Sequence, residues 1–381
     1  MNFSLTEEQE FLQEAARGAL GRVKTVEAAR DALEGAALPD LWPAACEAGW
    51  PGMLISEANE GAGLEPIDAM LVFVELGKVL ASVPLLGHLP ASYLLDRGSE
   101  MTSPPALLGE LAAGARRAAF VGACPPSGIE DRWTVASLRG PIAADAPTVS
   151  GDGSVSGAAF WVPDAPGAAS LVVVAMDDAG APRAVLVDVA GGGVSVEPVT
   201  RYDATRTLGH VRLDSAPGTM LDVEPEVIAH AWHLESALLA AESLGAVEYA
   251  LEVSVAYAKE RFTFGRAIGS YQAMKHQLVE VLRLLDNGRS LMMYAGWAGS
   301  DKPDEFALAA SAFRAKAGKA LEESARIQIS VHGGIGATFE HDAPLYFRKA
   351  QLSRRLLGGT AGASDRVADE LFKQATLEGA L

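Results

Sequence analysis

The chain has 381 residues, 31 of them basic and 49 acidic, for a formal charge of −18 at neutral pH. That length calls for two or three packed units rather than one simple core, and an acidic surface of that size repels phosphate backbones, which excludes nucleic acid as a partner. Hydrophobic residues make up 49%, yet the longest apolar runs stop well short of a bilayer span, so a soluble protein without a membrane helix is expected.

The two cysteines, Cys46 and Cys124, lie far apart and in no metal-binding spacing. Free thiols in a reducing, cytoplasmic compartment, and no bound metal, are therefore expected. The opening residues, Phe3 to Glu8, lack a basic start followed by an apolar stretch, so no secretory leader is expected.

From about residue 5 to 115 the pattern is helical. Thr6 followed by Gln9 reads as a capping box. Gly61-Ala62-Gly63 forms a turn ahead of Pro66, a good first-turn residue, and Ile67 to Leu80 carries apolar residues at helical spacing. Between about 116 and 222 the texture changes to short β-branched runs, Leu171 to Val174 and Ala184 to Val187. Turn signals, Asp177 to Gly180 and Gly191 to Gly193, punctuate them. Strands so closely spaced, with no helical stretch between them, predict an antiparallel β domain. Nothing like G-x-G-x-x-G or a phosphate-binding loop follows a strand, so a dinucleotide or nucleoside-triphosphate fold gains no support.

From about 224 the chain is helical again. Pro225 opens one long periodic segment, Glu226 to Lys259, and further helices are expected at about 271–296, 304–330 and 343–356, with a shorter one after Gly359. Long helices with short connections predict a bundle. The expected architecture is α+β: a helical domain over 1–115, a β domain over 116–223 and a four-helix bundle over 224–381.

Three ordered motifs sharpen this. Arg261 to Gln272 reads Arg-Phe-Thr-Phe-Gly-Arg-Ala-Ile-Gly-Ser-Tyr-Gln and is similar to the R-x-x-F-G-x-x-I-x-x-x-Q of the acyl-CoA dehydrogenase family. His332-Gly333-Gly334-Ile335-Gly336, with Phe339, Glu340, His341, Asp342 and Arg348 after it, and Gly359-Thr360 near the end supply the other two. The N-terminal Leu5-Thr6-Glu7-Glu8-Gln9 also resembles the family. A fork-shaped guanidinium suits a pyrophosphate, and glycines let a backbone approach a ligand closely. The resemblance implies FAD as cofactor, with Arg261 on its pyrophosphate and Phe264, Gln272, Gly333, Gly334 and Thr360 as further contacts. It implies an acyl-CoA substrate, electron-transfer flavoprotein as acceptor, and self-association or a paralogous subunit in a dimer of dimers, because the glycine loop meets the neighbouring subunit's flavin. His332 is expected to pack rather than act as an acid.

The family's reaction takes an α proton from an acyl thioester with a carboxylate while the β hydrogen leaves as hydride. Most members carry that Glu just before the Gly-Thr of the last motif, where this chain has Gly358. A branched-chain minority takes it from the long helix upstream, and the resemblance puts that base at Glu235, 26 residues before Arg261. Periodicity sets Trp232, Glu235, Leu239, Glu242 and Ala246 on one stripe, which leaves Glu242 as a rival carboxylate and a solvated or salt-bridged Glu235 as the plain alternative.

The flavin-shielding segments depart from the family pattern. Gly122 to Gly128 lacks the usual T-E-P-x-x-G-S-D, Pro163 stands where a threonine normally contacts the flavin, and Ser330 replaces a glutamine ahead of the glycine loop. Such divergence resembles actinobacterial enzymes acting on bulky acyl-CoA chains, including steroid side chains, several of which are α2β2 assemblies. Three readings follow: an active dehydrogenase, a non-catalytic partner subunit sharing FAD, or an oxidase or monooxygenase on the same fold.

Overall fold

The computed structural model describes residues 4–98, 105–122, 146–199 and 201–377; Cys124 and most of Gly122 to Gly128 lie outside them. Helices come first: α1 Glu7–Leu20, α2 Thr25–Asp31, α3 Trp42–Glu47, α4 Pro66–Lys78, α5 Leu85–Arg97 and α6 Pro105–Ala112. The capping box at α1 forms as expected, with Gln9 N donating to Thr6 Oγ1 at 3.2 Å and Thr6 N donating to Gln9 Oε1 at 3.1 Å. Pro66 opens α4 from the Glu65 cap.

The strands are β1 Ala118–Val121, β2 Thr148–Val149, β3 Val155–Pro163, β4 Ser170–Met176, β5 Pro182–Asp188, β6 Val194–Val199, β7 Leu208–Ala216 and β8 Gly218–Met220. They form one sheet in the order β6-β7-β3-β2-β4-β5-β8, with β1 paired to β4. The sheet departs from the all-antiparallel expectation, because β1 and β2 both run parallel to β4. The reason is placement: β2 and β3 form a hairpin and β7 takes the free edge of β3, so β4 settles beside β2 and runs in its direction.

Helix returns with α7 Pro225–Glu260, then the two-stranded β9 Phe262–Thr263 and β10 Arg266–Ala267, α8 Gln272–Asp301, α9 Pro303–His332, α10 Ala343–Ser353 and α11 Gly359–Leu377. The last helix, expected to be short, is 19 residues, and α10 is 11. None of the helices among the described residues is long and apolar enough to cross a membrane.

The organising element is α7, packed against α4, α5, α8 and α9. Every residue from 230 to 247 on it is buried. The expectation of a single apolar stripe is therefore corrected: this stretch is enclosed all round, and periodicity cannot say which way Glu235 points. The crossing with α4 is backbone on backbone. A Cβ built on Gly245 would lie 1.8 Å from the Val74 carbonyl oxygen, and one on Gly77 would lie 1.9 Å from that of Glu242. Small residues at a helix crossing allow such an approach, and main chain on both sides has nowhere to retreat. Gly245→Ala should accordingly cost about 1–3 kcal/mol in chemical denaturation, whereas Gly334→Ala, with no atom within 4 Å of its Cβ position and no positive φ, leaves packing untouched.

Candidate active site

Several buried ionic groups converge on the middle of α7. Glu242, 3% exposed, accepts a hydrogen bond from Arg206 at 2.5 Å and pairs with Lys349 of α10 at 2.9 Å. Arg206 follows the turn in which Thr205 N and Oγ1 both donate to Asp203 Oδ1, at 2.9 and 2.7 Å. Its guanidinium also lies 4.0 Å from Asp164, at the end of β3. Lys349 donates in addition to Thr205 Oγ1 at 3.3 Å. Burial by itself raises the Glu242 carboxyl, but Arg206 and Lys349 outweigh it and hold that group below the usual carboxylate range. Glu242 is thus spoken for as a structural anion. Arg206 is likewise kept charged, since Glu242, Asp164 and Asp203 together overcome its desolvation.

Glu235 lies two helical turns before Glu242, about 10 Å away along the axis at roughly 1.5 Å per residue. It is 1% exposed, and its Oε1 is buried without a hydrogen-bond partner. Desolvation pushes its carboxyl well above the ordinary value; the negative charge of Asp164 adds to the rise and Arg206 opposes it. The salt-bridged alternative does not apply, since no cation among the described residues pairs with it. A buried carboxyl that is unpaired and carries a raised proton affinity is costly to keep, which makes Glu235 the candidate functional group here.

Two histidines flank it on the same helix. Burial, and then Arg366, lower the His233 pKa to about 3, and burial takes His230 to about 4. Both are neutral at physiological pH and neither can serve as a cationic partner for Glu235.

The other residues expected at the site fall into two groups. Arg261 caps the C-terminus of α7 and is exposed, as is Gln272 at the start of α8. Between them, Ile268 N donates to Arg261 O at 2.7 Å, and Tyr271 Oη donates to Thr263 O at 3.0 Å. Arg261 to Gln272 is therefore one compact element. Phe264, at φ 54°, is 93% exposed. Gly333 and Gly334 are exposed with nothing within 4 Å of a Cβ position, and Gly333 adopts φ 65°. The Tyr257 ring lies 4.4 Å from His332, which brings the C-terminal ends of α7 and α9 together. His332 itself is 7% exposed, with Nδ1 2.8 Å from Gln328 O, a packed side chain as expected.

Thr360 stands apart from that end. A Cβ on Gly318, at the middle of α9, would lie 2.4 Å from Thr360 Cγ2, and Gly318 is about 21 Å along α9 from His332 at 1.5 Å per residue. The loop before Thr360 is braced by fully buried Arg314, which donates to Ser353 O and to Leu356 O, the latter at 3.2 Å. Leu357, Gly358 and Gly359 take left-handed φ of 53°, 71° and 67° in succession. At Gly358, where the family resemblance would put a carboxylate, this loop presents only glycine hydrogen.

Straight along α7, Glu235 and Arg261 are separated by about 39 Å, more than the diameter of a small domain. The structure does not bring these two together. Sequence reasoning also missed Arg206, Asp164 and Lys349. The Asp203-Ala204-Thr205 turn was the one local signal, and the network closes only through contacts between distant segments.

Comparison with known proteins is consistent with this geometry. The family model for the acyl-CoA dehydrogenase N-terminal domain matches residues 6–103, and that for the C-terminal domain matches residues 226–371. The acyl-CoA dehydrogenase IpdE2 of Mycolicibacterium smegmatis is 31% identical over 97% of this chain and 100% of its own length. Among solved structures, the Tcur3481-Tcur3483 steroid ACAD G363A variant superposes with a TM-score of 0.83 at 28% identity, covering 97% of this chain and 99% of that one. The ChsE4-ChsE5 complex from Mycobacterium tuberculosis shares the fold at a TM-score of 0.82 and 24% identity, over 97% and 99%. Fold and sequence together define an oxidoreductase of the flavoprotein class. The chain belongs to the acyl-CoA dehydrogenase family.

The Glu235 environment makes a stability prediction with a definite sign. Between the ordinary carboxyl value of 4.5 and the higher value in the fold, the folded protein holds one proton more than the unfolded chain, so this group's contribution to stability falls as pH rises through that window. Glu235→Gln should therefore melt progressively higher than wild type as pH is raised from about 5 to about 8. A melting-temperature difference that does not change with pH contradicts the assignment.

Proposed function

We propose that this chain carries the base of an FAD-dependent acyl-CoA dehydrogenase, with Glu235 removing the α proton of the acyl thioester. The observation that carries the reading is the fully buried, unpaired Oε1 of Glu235. A base for a weakly acidic C–H must accept a proton readily and then hold it away from water, and desolvation supplies both properties. The Cα–H bond breaks with its proton going to Glu235, its electron pair forms the Cα=Cβ bond, and the β hydrogen departs with its own pair. Bound FAD would supply the acceptor for that hydride. Glu242 takes no part, because Arg206 and Lys349 hold it as an anion.

The flavin contacts fit only if a second chain completes them. Arg261, Phe264, Gln272, Gly333 and Gly334 gather at the far end of α7, exposed, while Glu235 lies in its first third and Thr360 packs on the middle of α9. Arg261 would hold a pyrophosphate and the bare glycine backbone would approach the same ligand. Over about 39 Å the two ends of α7 serve different flavins, so each site takes its base from one subunit and its pyrophosphate clamp from another. Bulky apolar groups beside the clamp, Phe262 at 63% and Ile335 at 53% exposure, match a surface covered by that neighbour. We take the neighbour to be a paralogous subunit in an α2β2 assembly, since the 28% identical steroid ACAD carries two protein names. The substrate is accordingly a steroid-derived acyl-CoA, with electron-transfer flavoprotein as the acceptor.

The competing reading is a partner subunit without chemistry of its own. It draws on Pro163, which offers no hydroxyl where relatives place a threonine, and on Gly358 in the usual base position. Anaerobic mixing of the assembled protein with acyl-CoA separates the two. Glu235→Gln should slow flavin reduction by roughly 10²-fold or more with the flavin still bound; an unchanged rate moves the base to another subunit.

A further inference from the structure

Where the β domain meets α10, buried groups that can only donate hydrogen bonds are left without acceptors. Trp161 sits in the irregular stretch of β3, where the pairing with β7 shifts register between Ala159 and Val162. It holds φ 62°, a left-handed conformation that a bulky side chain keeps only when its surroundings impose it. His210 braces it: Trp161 N donates to His210 Nδ1 at 3.3 Å, and the two rings meet edge to face at 4.7 Å. The indole residue is 4% exposed, and its Nε1 has no acceptor among the described residues. Arg201, in the loop ahead of β7, lays its guanidinium over the same indole, 4.5 Å from the ring centre and 5.6 Å from that of Tyr202. Its Nε is buried and likewise lacks an acceptor.

α10 adds charge at the same place. Tyr202 Oη donates to Gln351 O at 2.8 Å, and Arg348 Nη1 donates to Tyr202 O at 3.2 Å. The chain stays right-handed through Arg354 and Arg355, so Arg348, Gln351 and Arg355, at i, i+3 and i+7, share one face of the helix end. Among the described residues, no carboxylate forms a salt bridge with Arg201, Arg348 or Arg355. The adjoining acid, Asp203, accepts from Thr205 N and Oγ1 instead, and Arg354 is taken by Glu322 at 3.0 Å. In a chain of charge −18, this gathering of cations is a local reversal of sign.

Donors without acceptors suit a ligand that is all acceptor, because Trp and Arg side chains offer no lone pair of their own. A guanidinium whose face is covered by an aromatic ring keeps its N–H edge for an oxyanion, which it meets with two parallel bonds. We propose that Arg201, Trp161 and Arg355 form an anion site for a phosphate group of a nucleotide-bearing ligand. Arg201 takes two phosphate oxygens through Nε and a terminal nitrogen, Trp161 Nε1 adds a donor beside them, and Arg355 adds charge. A carboxylate, with two oxygens and one charge, would leave part of this set unused. The site is separate from the Arg261 clamp: Ser353, at the end of α10, lies 3.1 Å from Ser243 of α7, about 27 Å before Arg261 along that helix at roughly 1.5 Å per residue.

The proposal deepens the dehydrogenase reading and rests on it for the ligand, since coenzyme A thioesters and FAD both carry such phosphates; it does not need Glu235 to be the base. Equilibrium titration of the flavin-loaded assembled protein with coenzyme A, and with pantetheine, which keeps the arm but has no phosphate, tests the site without turnover. Arg201→Met and Arg355→Met should each weaken a nucleotide ligand by about tenfold, with a smaller loss at high salt. If the phosphate belongs to the thioester, coenzyme A affinity falls while pantetheine affinity and flavin retention on gel filtration match wild type. If it belongs to the flavin, the same substitutions strip FAD from the assembly and coenzyme A binding holds. Arg201→Lys, which keeps the charge without the planar fork, should recover only part of the loss. Near-ultraviolet circular dichroism reports that each variant is folded. Unchanged affinity for both nucleotides in the double variant overturns the proposal, and so does an equal loss of pantetheine and coenzyme A binding, which marks a merely structural role. An unaltered rate of flavin reduction in Glu235→Gln removes the base and leaves these titrations standing.

Discussion

The pairing of Glu242 with Arg206 and Lys349 is the constraint on which the rest of the site depends. It ties three segments that the chain order separates widely: the loop before β7, the centre of α7 and the middle of α10. A buried ion pair is weak evidence for net stability, but breaking one is expensive, about 3–5 kcal/mol when a single partner is removed. The consequence is geometric. With Glu242 anchored and Gly245 pressed against Val74 of α4, α7 is fixed in rotation and in translation, and Glu235 two turns earlier has no salt-bridge partner among the described residues. One carboxylate is spent on architecture so that the other can be left unpaired.

Much of the fold was legible in the sequence because its signals are local. The Thr6 and Gln9 capping box, Pro66 and Pro225 as helix openers and the Asp177 to Gly180 turn all act within a few residues and form as expected. The sheet was less legible. That β4 lies beside β2 rather than β3 depends on which edge is free, and nothing in the strand sequences encodes it. Within the candidate site, Glu235 was reached through resemblance; the periodicity argument for it did not hold, since α7 is enclosed on every side between 230 and 247. Asp164 and Arg206 were invisible for a different reason: their partners are 77 and 36 residues away. Buried polar networks are specified by tertiary contact, and a linear pattern does not carry them.

The length of α7 has a functional meaning of its own. At 36 residues it carries a candidate base near its first third and an arginine clamp at its end, too far apart for one small ligand. Under the proposed function such a helix would link two half-sites, with the exposed Phe264, Gly333 and Gly334 as the half that a second chain would complete. On the proposed function, the departures from family pattern at Pro163, Ser330 and Gly358 would reflect a division of labour with a paralogous chain.

The most direct test is a crystal structure of the assembled protein with flavin and an unreactive acyl-CoA analogue bound. The account predicts a Glu235 carboxylate oxygen within about 3 Å of the carbon that bears the α hydrogen, with the nearest arginine clamp on the flavin contributed by another chain. A ligand held elsewhere, or a Glu235 side chain turned to Arg206 and screened from the thioester by packed residues, would contradict it.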